Sequence, residues 1–552
     1  MKILSVGAHY GVHQGPTFDA KFKPRTFVRP QKVKPIFAYS DFLQYSPLKK
    51  IFAGYNKTSY TLPVHNEGIA QKMNSVYNVV GFEALYNFAK NKGVFDYTLD
   101  IEKGTVKTSQ INHKENPLMS DLIWVTDSCH NINLVKNKNP EACTAIYNRL
   151  ADFYEGQKNN FTKVFENPEK YADNRLWHND HGVGHVFTPQ TNIEHEWFAK
   201  TRLESLGNYL RVGADLIQAG FNGAKYGYKN SKDVPQTVVD SIANVTKYLK
   251  EINYPEAPSC GAWEENTFQK SLTSDTAIIN EAMRNILKLV YSPTKDAELI
   301  KLRWRLLNSE NGQVFEDKEV LENLLKLGEK RITKTHFVES PRADFKIEAD
   351  WQTKFYNRKS DSAMAFAAQT EFFKTGDIIK DSLAKIDMLK GLEKDLVKEN
   401  GALRYIGDEY INLDYHRIKD KHKDNKKTNE AEWFLVSEFA KAYGAVAKNI
   451  MEDIKSNGTT WQKEKILEFS MAKQTEYINR SYARVTPKGM TKSNGYSCPA
   501  YKLPEAYEAV TTKKGVKYVP GAHTPLTWAE TSLDSASKQF LENLKLYETI
   551  KR

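Results

Sequence analysis

Cysteine is scarce in this sequence, with four residues among 552. The four lie far apart, and their spacing fits neither a zinc ribbon nor a disulfide framework. They are Cys129, Cys143, Cys260 and Cys498. So few cysteines are typical of a reducing compartment, and we therefore expect a cytoplasmic protein.

Long apolar runs are also missing. No stretch approaches the roughly 20 apolar residues that a membrane-spanning helix requires. The apolar run that ends before His9 is shorter than the core of a secretory signal, which needs about 7–15 apolar residues. We therefore expect no signal peptide and no membrane partner.

Motifs for binding nucleotides or nucleic acids are lacking as well. The net charge is +11, but the densest basic run, residues 419–427, is interleaved with Asp and Asn as in a solvated loop. The glycines of residues 7–15 lack the Gly-Lys-Ser/Thr of a phosphate loop, and no serine nucleophile elbow occurs. We expect no nucleic-acid partner and no cofactor.

Helical periodicity dominates the chain from residue 76 onward. After Ser274, apolar residues recur at helical spacing, as in Ile279, Ala282, Met283, Ile286, Leu287 and Val290. About a dozen such segments with few strands predict an all-α fold of paired helices. We assign residues 1–70 to an irregular, β-containing N-terminal extension and residues 71–552 to one helical domain.

Three helix assignments are specific enough to be compared with the structure. An apolar stripe predicts the buried face of the first helix, at Val76, Val80, Ala84, Leu85 and Phe88. Asp361 is predicted to cap a helix over residues 362–373 that ends before Gly376. Thr524-Pro525 is predicted to open the last helix.

Two adjacent carboxylates follow a tryptophan in the stretch Trp263-Glu264-Glu265. Prolines and a glycine interrupt regular structure just before them, so we expect a loop at the entrance to the Ser274 helix. An acid beside an indole face loses hydration, which predicts a raised pKa for Glu264. The alternative is a solvated acidic pair on an ordinary loop.

Five polar and aromatic segments lie between the helical stripes: residues 124–127, 197–204, 263–265, 404–408 with 432–433, and 503–505. In this order, followed by Gly-Ala-His-Thr-Pro-Leu-Thr-Trp at residues 521–528, they resemble the glucoamylase-type glycoside hydrolases of family 15. They also resemble the related domain of phosphorylase kinase regulatory subunits. The resemblance implies an (α/α)6 barrel, six inner and six outer helices, with the active site in loops at one end.

The resemblance also implies roles for individual residues. Glu264 would be the general acid and Glu505 the general base of an inverting glycosidase. The remaining candidates would bind the sugar; they are Asp127, Trp124, Trp197, Arg202, Glu204, Trp263, Glu265, Arg404, Tyr405 and Trp433.

Three features depart from the family pattern. Thr126 stands where Arg is usual, and Gly261 stands where Asp is frequent. The stretch over residues 197–204 is one residue longer than usual, with Arg202 and Glu204 where Gln and Asp are common. These departures predict altered contacts to the cleaved sugar.

The resulting expectation is an exo-acting, inverting α-glucoside hydrolase. It would release glucose from the non-reducing end of α-glucans, oligosaccharides or a disaccharide, as a monomer or homodimer. The alternative is a non-catalytic carbohydrate-sensing or regulatory module. The histidines of residues 178–185, with His195, suit zinc by residue type but fit no named zinc spacing, so we expect no metal.

Overall fold

The computed structural model describes residues 31–33, 60–111, 115, 121–172, 182–189, 194, 200, 202–264, 271–334, 338–340, 360–371, 375–406, 408, 430–512 and 515–551. These ranges are predominantly helical. Their α-helices are α1 (Glu67–Ala70), α2 (Val79–Asn91), α3 (Val125–Lys138), α4 (Ala142–Gly156), α5 (Lys158–Glu166), α6 (Glu169–Ala172), α7 (Leu203–Phe221), α8 (Gln236–Glu251), α9 (Thr273–Tyr291), α10 (Ala297–Leu307), α11 (Lys318–Lys334), α12 (Met364–Ala367), α13 (Ile378–Leu396), α14 (Val436–Asn457), α15 (Trp461–Ala483) and α16 (Thr527–Lys551).

Polar side chains start several of these helices. Asn78 accepts a hydrogen bond from the Gly81 amide at the start of α2, and Thr460 accepts one from the Lys463 amide at the start of α15. Asp377 accepts bonds from two first-turn amides of α13. Such caps satisfy amides that have no partner within the helix, so the sequence specifies these helix starts locally.

Six helices form a closed inner ring. In chain order α3, α7, α9, α12, α14 and α16 each pack against the next, and α16 packs against α3. The helices α2, α4, α8, α11, α13 and α15 alternate with them along the chain; α4 packs against α3 and α8, and α15 packs against α14 and α16. This alternation confirms the predicted all-α fold and its (α/α)6 barrel.

Contacts between the residues that lead into the inner helices show where these helices begin. The Thr126 hydroxyl at the start of α3 donates to Glu204 at the start of α7, and Trp263, before α9, donates to Asp361, before α12. Further contacts link the segments before α7 and α9 and those before α12, α14 and α16, so the inner helices begin at the same end of the barrel.

Aromatic side chains fill the space between the two layers. Phe439 of α14 stacks on Tyr477 of α15 with ring centroids 5.1 Å apart. Tyr147 of α4 stacks on Tyr209 of α7 at 4.7 Å. Gly213 permits this second contact, because a Cβ there would lie 2.0 Å from the Tyr147 hydroxyl oxygen. Close packing at this position offsets the low helix propensity of a glycine in the middle of a helix.

Short strands connect the helices. They are β1 (Gln31–Val33), β2 (Tyr60–Leu62), β3 (Leu99–Asp100), β4 (Thr105–Val106), β5 (Ile123–Trp124), β6 (Val186–Phe187), β7 (Glu432–Trp433), β8 (Ala506–Thr512) and β9 (Gly515–Pro520). All pairings are antiparallel: β1 with β2, β3 with β4, β5 with β6, and β8 with both β7 and β9. The β8–β9 hairpin precedes α16 and was not predicted from the sequence.

The three specific helix assignments need correction. The buried residues of α2 are Phe82, Leu85 and Ala89, so the predicted stripe was right at Leu85, but its members Val76 and Val80 are exposed. The helix predicted over residues 362–373 is the four-residue α12, which passes into turns whose bonds span three residues, as from the Thr370 amide to the Ala367 carbonyl. The last helix begins at Thr527 and not at Thr524.

Of the N-terminal extension the structure describes residues 31–33 and 60–70, and the boundary at residue 70 stays a prediction. Within the described ranges, every helix is too short or too polar to cross a bilayer.

Candidate active site

The candidate residues lie where the chain enters the inner helices. Asp127 and Glu204 occupy the first turns of α3 and α7. Glu264 lies on the loop before α9, Trp433 just before α14, and Glu505 on the segment before α16. All five therefore lie at the end of the barrel where the inner helices begin. The partial positive charge of helix N-termini stabilises carboxylates at this end.

Backbone contacts hold the entering segments against one another. Asp361 pairs with Tyr405, and Ala402 pairs with Trp433, in isolated antiparallel bridges. The Phe434 amide donates to the Glu505 carbonyl at 3.0 Å. These bonds connect the segments that precede α12, α14 and α16 at this end of the barrel.

Glu264 has an unusual backbone conformation. Its φ of 59° lies in the left-handed region, which is costly for a residue with a Cβ. The preceding turn is fixed, since the Gly261 amide donates to Ser259 Oγ at 3.1 Å and Ser259 Oγ donates to the Asp275 carboxylate of α9. Gly261, with φ 67°, supplies the turn that an Asp at this position would strain. The fold thus holds Glu264 in a strained conformation of the kind that clusters at functional sites.

The Glu264 carboxylate is surrounded by nitrogen donors. Arg202 Nη1 donates to Oε1, His185 Nε2 lies 2.9 Å from the same oxygen, and the Trp124 indole also hydrogen-bonds the carboxylate. Burial opposes ionisation, but Arg202 and His185 outweigh it and lower the pKa of Glu264 to about 2. The prediction of a raised pKa was wrong, because it considered the neighbouring indole face and missed the guanidinium.

Arg202 is itself held by a buried polar network. Its Nε donates to Glu204 Oε2 at 2.9 Å, and the Thr126 hydroxyl donates to the same oxygen at 3.2 Å. Asn208 Nδ2 donates to the other oxygen, Oε1, at 2.7 Å. Thr126 and Arg202, two residues that depart from the family pattern, therefore both donate to the Glu204 carboxylate. Arg202 Nη2 is buried and has no hydrogen-bond partner among the described residues.

Asp127 connects the two carboxylates that the sequence nominated for catalysis. Burial raises the pKa of Asp127, Arg202 opposes this rise, and the charges of Glu264 and Glu505 add to it; the resulting pKa is about 8. The charges of Glu264 and Glu505 both act on this buried acid, which places each glutamate near Asp127. The barrel thus positions two residues that are 241 positions apart in sequence (505 − 264) around one acid.

Glu505 lies immediately before β8 and is paired with a histidine from the segment after β9. His523 Nδ1 lies 2.8 Å from Glu505 Oε2, and the Glu505 amide donates to the His523 carbonyl at 3.3 Å. Burial favours the neutral ring, but Glu505 and Glu508 outweigh it and raise the pKa of His523. The hairpin therefore delivers a carboxylate and its histidine to the same place.

Arg404 lies within a group of aromatic rings. Its guanidinium carbon is 4.5 Å from the Trp433 ring centroid and 5.7 Å from those of Trp263 and Tyr405. It forms two hydrogen bonds to the Asp408 carboxylate. The Trp263 indole N–H donates to Asp361 at 2.8 Å, which fixes the ring that precedes Glu264. Stacking and a two-pronged ion pair define the position of a planar cation.

Two sequence-predicted site residues, Trp197 and Glu265, lie outside the described residues, as do His178, His181 and His195. Sequence reasoning missed His185 as a partner of Glu264, His523 as a partner of Glu505, and Asp408 as a partner of Arg404. The Arg-to-Asp spacing of four residues was a signal for the last of these, but nothing in the sequence identified the histidine partners. Among the described residues, no three or more His, Cys, Asp or Glu side chains are arranged to hold a metal ion.

No family model matches the chain, and no curated protein sequence matches it. A structure described as a wild-type glycosidase superposes with a TM-score of 0.48 at 10% identity, covering 85% of this chain and 100% of its own. A glucoamylase from Saccharomycopsis fibuligera superposes with a TM-score of 0.48 at 12% identity, covering 87% of this chain and 99% of its own. Similarity at this level leaves the function to be argued from the side chains themselves.

Proposed function

We propose that this protein is a glycoside hydrolase, more narrowly an inverting, exo-acting α-glucosidase that releases glucose from a non-reducing end. The observation that carries the proposal is that Glu264 and Glu505 both lie near the buried Asp127. Two carboxylates on separate loops, each with its own histidine, suit an acid and a base that act on opposite sides of a glycosidic bond. The buried rings of Trp124, Trp263 and Trp433 suit the apolar faces of a sugar.

The roles follow from the partners of each carboxylate. Glu505, beside the His523 ring, serves as the base that removes a proton from the attacking water. Glu264 serves as the acid that protonates the leaving glycosidic oxygen. The C–O bond breaks with its electron pair on that oxygen, and water forms the new bond to the anomeric carbon from the opposite face. Each carboxylate exchanges one proton, and solvent restores both.

Arg202 and Asp127 support binding in this proposal. Arg202 Nη2 can donate to a sugar hydroxyl, because its other nitrogens already bond Glu204 and Glu264. Asp127, with a pKa of about 8, carries a proton at neutral pH and can donate to a second hydroxyl. A ligand that draws Arg202 toward itself weakens the cation that keeps Glu264 ionised. Sugar binding would thereby raise the proton affinity of Glu264 when an acid is needed.

The test is release of glucose from a panel of α-linked disaccharides, oligosaccharides and α-glucans, with Glu264→Gln and Glu505→Gln as matched variants. Each amide keeps the size of the side chain and removes its proton chemistry. We expect turnover from the wild type, a loss of at least about 100-fold in each variant, and retained sugar binding by calorimetry. Proton NMR of freshly released glucose should show the β anomer first. Wild-type activity in Glu264→Gln would contradict the assigned acid, and the α anomer first would contradict inversion.

A second function is favoured by one observation, the low pKa of Glu264. An acid that is ionised in the free protein suits a non-catalytic sugar-binding module in which Glu264 anchors Arg202. In that case calorimetry would detect binding of glucose or a short α-glucan, while the same panel would yield no glucose. Turnover that disappears in both Gln variants excludes this alternative.

A further inference from the structure

The three hydrogen-bond partners of Glu264 differ in whether they can accept a hydrogen bond as well as donate one. The Arg202 guanidinium and the Trp124 indole donate hydrogen bonds and cannot accept them. The His185 ring nitrogen can do either, depending on its tautomer. If Glu264 gains a proton, His185 is the described partner that can accept its O–H and keep the contact. The other two partners would then face a hydroxyl that still offers oxygen lone pairs.

His185 is placed for such an exchange. Its side chain is 2% exposed, and its Nε2 lies 2.9 Å from Glu264 Oε1, a hydrogen-bond distance. The backbone holds the ring in place, since the His185 carbonyl accepts from the Val125 amide at 2.9 Å. That amide belongs to the first residue of α3, two positions before Asp127, so His185 is fixed to the rim of the barrel.

The charged groups around this pair come from several elements. Arg202 and Glu204 face it from the start of α7 and Asp127 from the start of α3, while the charge of Glu505, from the segment before α16, acts on Asp127. Lys200 and Glu194 form an ion pair at 3.3 Å. They flank the backbone before His185, since a Cβ at Gly184 would meet Glu194 and one at Gly182 would meet Lys200. On the site side, the pair thus lies beside one guanidinium and two carboxyl groups, those of Glu204 and Asp127.

We propose that His185 holds the proton of the acid and passes it to Glu264 during glycosidic cleavage. This inference rests on the proposed hydrolase function. As Arg202 engages the sugar, His185 Nε2 donates its proton along the 2.9 Å contact to Glu264 Oε1, and Glu264 passes a proton to the leaving oxygen. Solvent then returns one proton to His185. His185 acts through Glu264 and is therefore a positioning residue.

The test compares two substrates in His185→Gln. The glutamine amide can still donate to Glu264, but it cannot release a proton. We expect kcat for an α-linked disaccharide, whose leaving alcohol needs a proton, to fall at least about 100-fold. For 4-nitrophenyl α-glucoside, whose leaving phenolate needs little protonation, we expect kcat to fall less than about tenfold. The alkaline limb of the kcat/KM profile for the disaccharide should move to lower pH.

A matched control separates this role from damage to the fold. His65 is another buried histidine, and its Nε2 lies 3.1 Å from Asn400 Oδ1. His65→Gln should change both substrates by the same factor and leave the pH profile in place. Equal losses on both substrates in His185→Gln, or an unmoved alkaline limb, would overturn the inference while leaving the hydrolase intact. A wild type that releases no sugar would instead overturn the proposed function.

Discussion

Arg404 and Asp408 form a two-pronged ion pair, in which Nε donates to Oδ2 at 2.8 Å and Nη2 donates to Oδ1 at 2.6 Å. Both side chains are almost fully buried. The Asp408 amide in turn donates to Glu430 Oε1 at 3.2 Å, which ties the pair to the segment before α14. The sugar-binding role of Arg404 stays a prediction, and the Asp408 carboxylate fixes the orientation of its guanidinium.

Removal of one member of this pair should be costly. Asp408→Ala leaves a buried guanidinium without its carboxylate, so we expect the free energy of unfolding to fall by about 3–5 kcal/mol. The double variant Arg404→Met/Asp408→Leu removes both charges and should lose less than the single variant. Denaturant unfolding checks both values. A double variant less stable than the single one would show that the ion pair itself stabilises the fold.

The low pKa of Glu264 predicts that the free energy of unfolding decreases as the pH falls. The folded pKa is about 2 against an ordinary value of 4.5, so the ionised carboxylate stabilises the fold above about pH 4.5 and this contribution is lost as the pH falls toward 2. A shift of this size corresponds to roughly 3 kcal/mol. The stability of the wild type should therefore fall relative to Glu264→Gln between these pH values. Glu83→Gln, a surface carboxylate paired with Lys545 at 3.2 Å, controls for general charge effects. Parallel curves for wild type and Glu264→Gln would contradict the assignment.

The raised pKa of Asp127 predicts the opposite change of stability with pH. Its folded pKa is about 8 against an ordinary value of 3.8. As the pH rises from about 4 to about 8, the unfolded chain has lost this proton while the folded chain keeps it, and the fold becomes less stable. Asp127→Asn lacks the titration, so its stability relative to the wild type should rise across this range. Denaturant unfolding at several pH values provides the measurement, and a constant difference between the two proteins would refute the raised pKa.

Arg484 predicts a loss of turnover from outside the site. It is fully buried, and its guanidinium donates to three backbone carbonyls, those of Asn400, Glu432 and Pro504. The last two residues directly precede Trp433 and Glu505. Arg484→Met leaves these carbonyls unsatisfied, at about 1–3 kcal/mol each, so we expect lower stability and a kcat that falls more than sugar affinity does. Arg484→Lys, which keeps a donor, should recover part of the loss. Unchanged kcat in a folded Arg484→Met protein would show that the loops keep their conformation without Arg484.

The fold was predictable because helix periodicity is a local property. The stripe from Ile279 to Val290 lies on α9 as predicted, since apolar residues at helical spacing have one face to bury. The errors have tertiary causes. Val80 carries an apolar side chain at a position that the barrel leaves open to solvent. After α12 the chain continues in turns whose hydrogen bonds span three residues, which the helical pattern did not indicate.

The candidate site was less predictable than the fold. Its carboxylates were found by their order and neighbours along the chain, and the structure places Glu264 and Glu505 near Asp127. The histidines that pair with these carboxylates are distant in sequence: His185 lies 79 positions from Glu264, and His523 lies 18 positions from Glu505. Pairs of this kind are set by the packing of loops on different helices, and no local pattern reports them.

The β8–β9 hairpin has a consequence for protein engineering. Glu505 and His523 meet at its base, while Thr512 and Gly515 at its far end are exposed. The ladder between Tyr507 and Pro520 separates the two ends. A reporter peptide or second domain inserted at the far end would therefore be separated from Glu505 and His523 by the length of the hairpin. The far end is thus a suitable position for fusing a second domain without disturbing this pair.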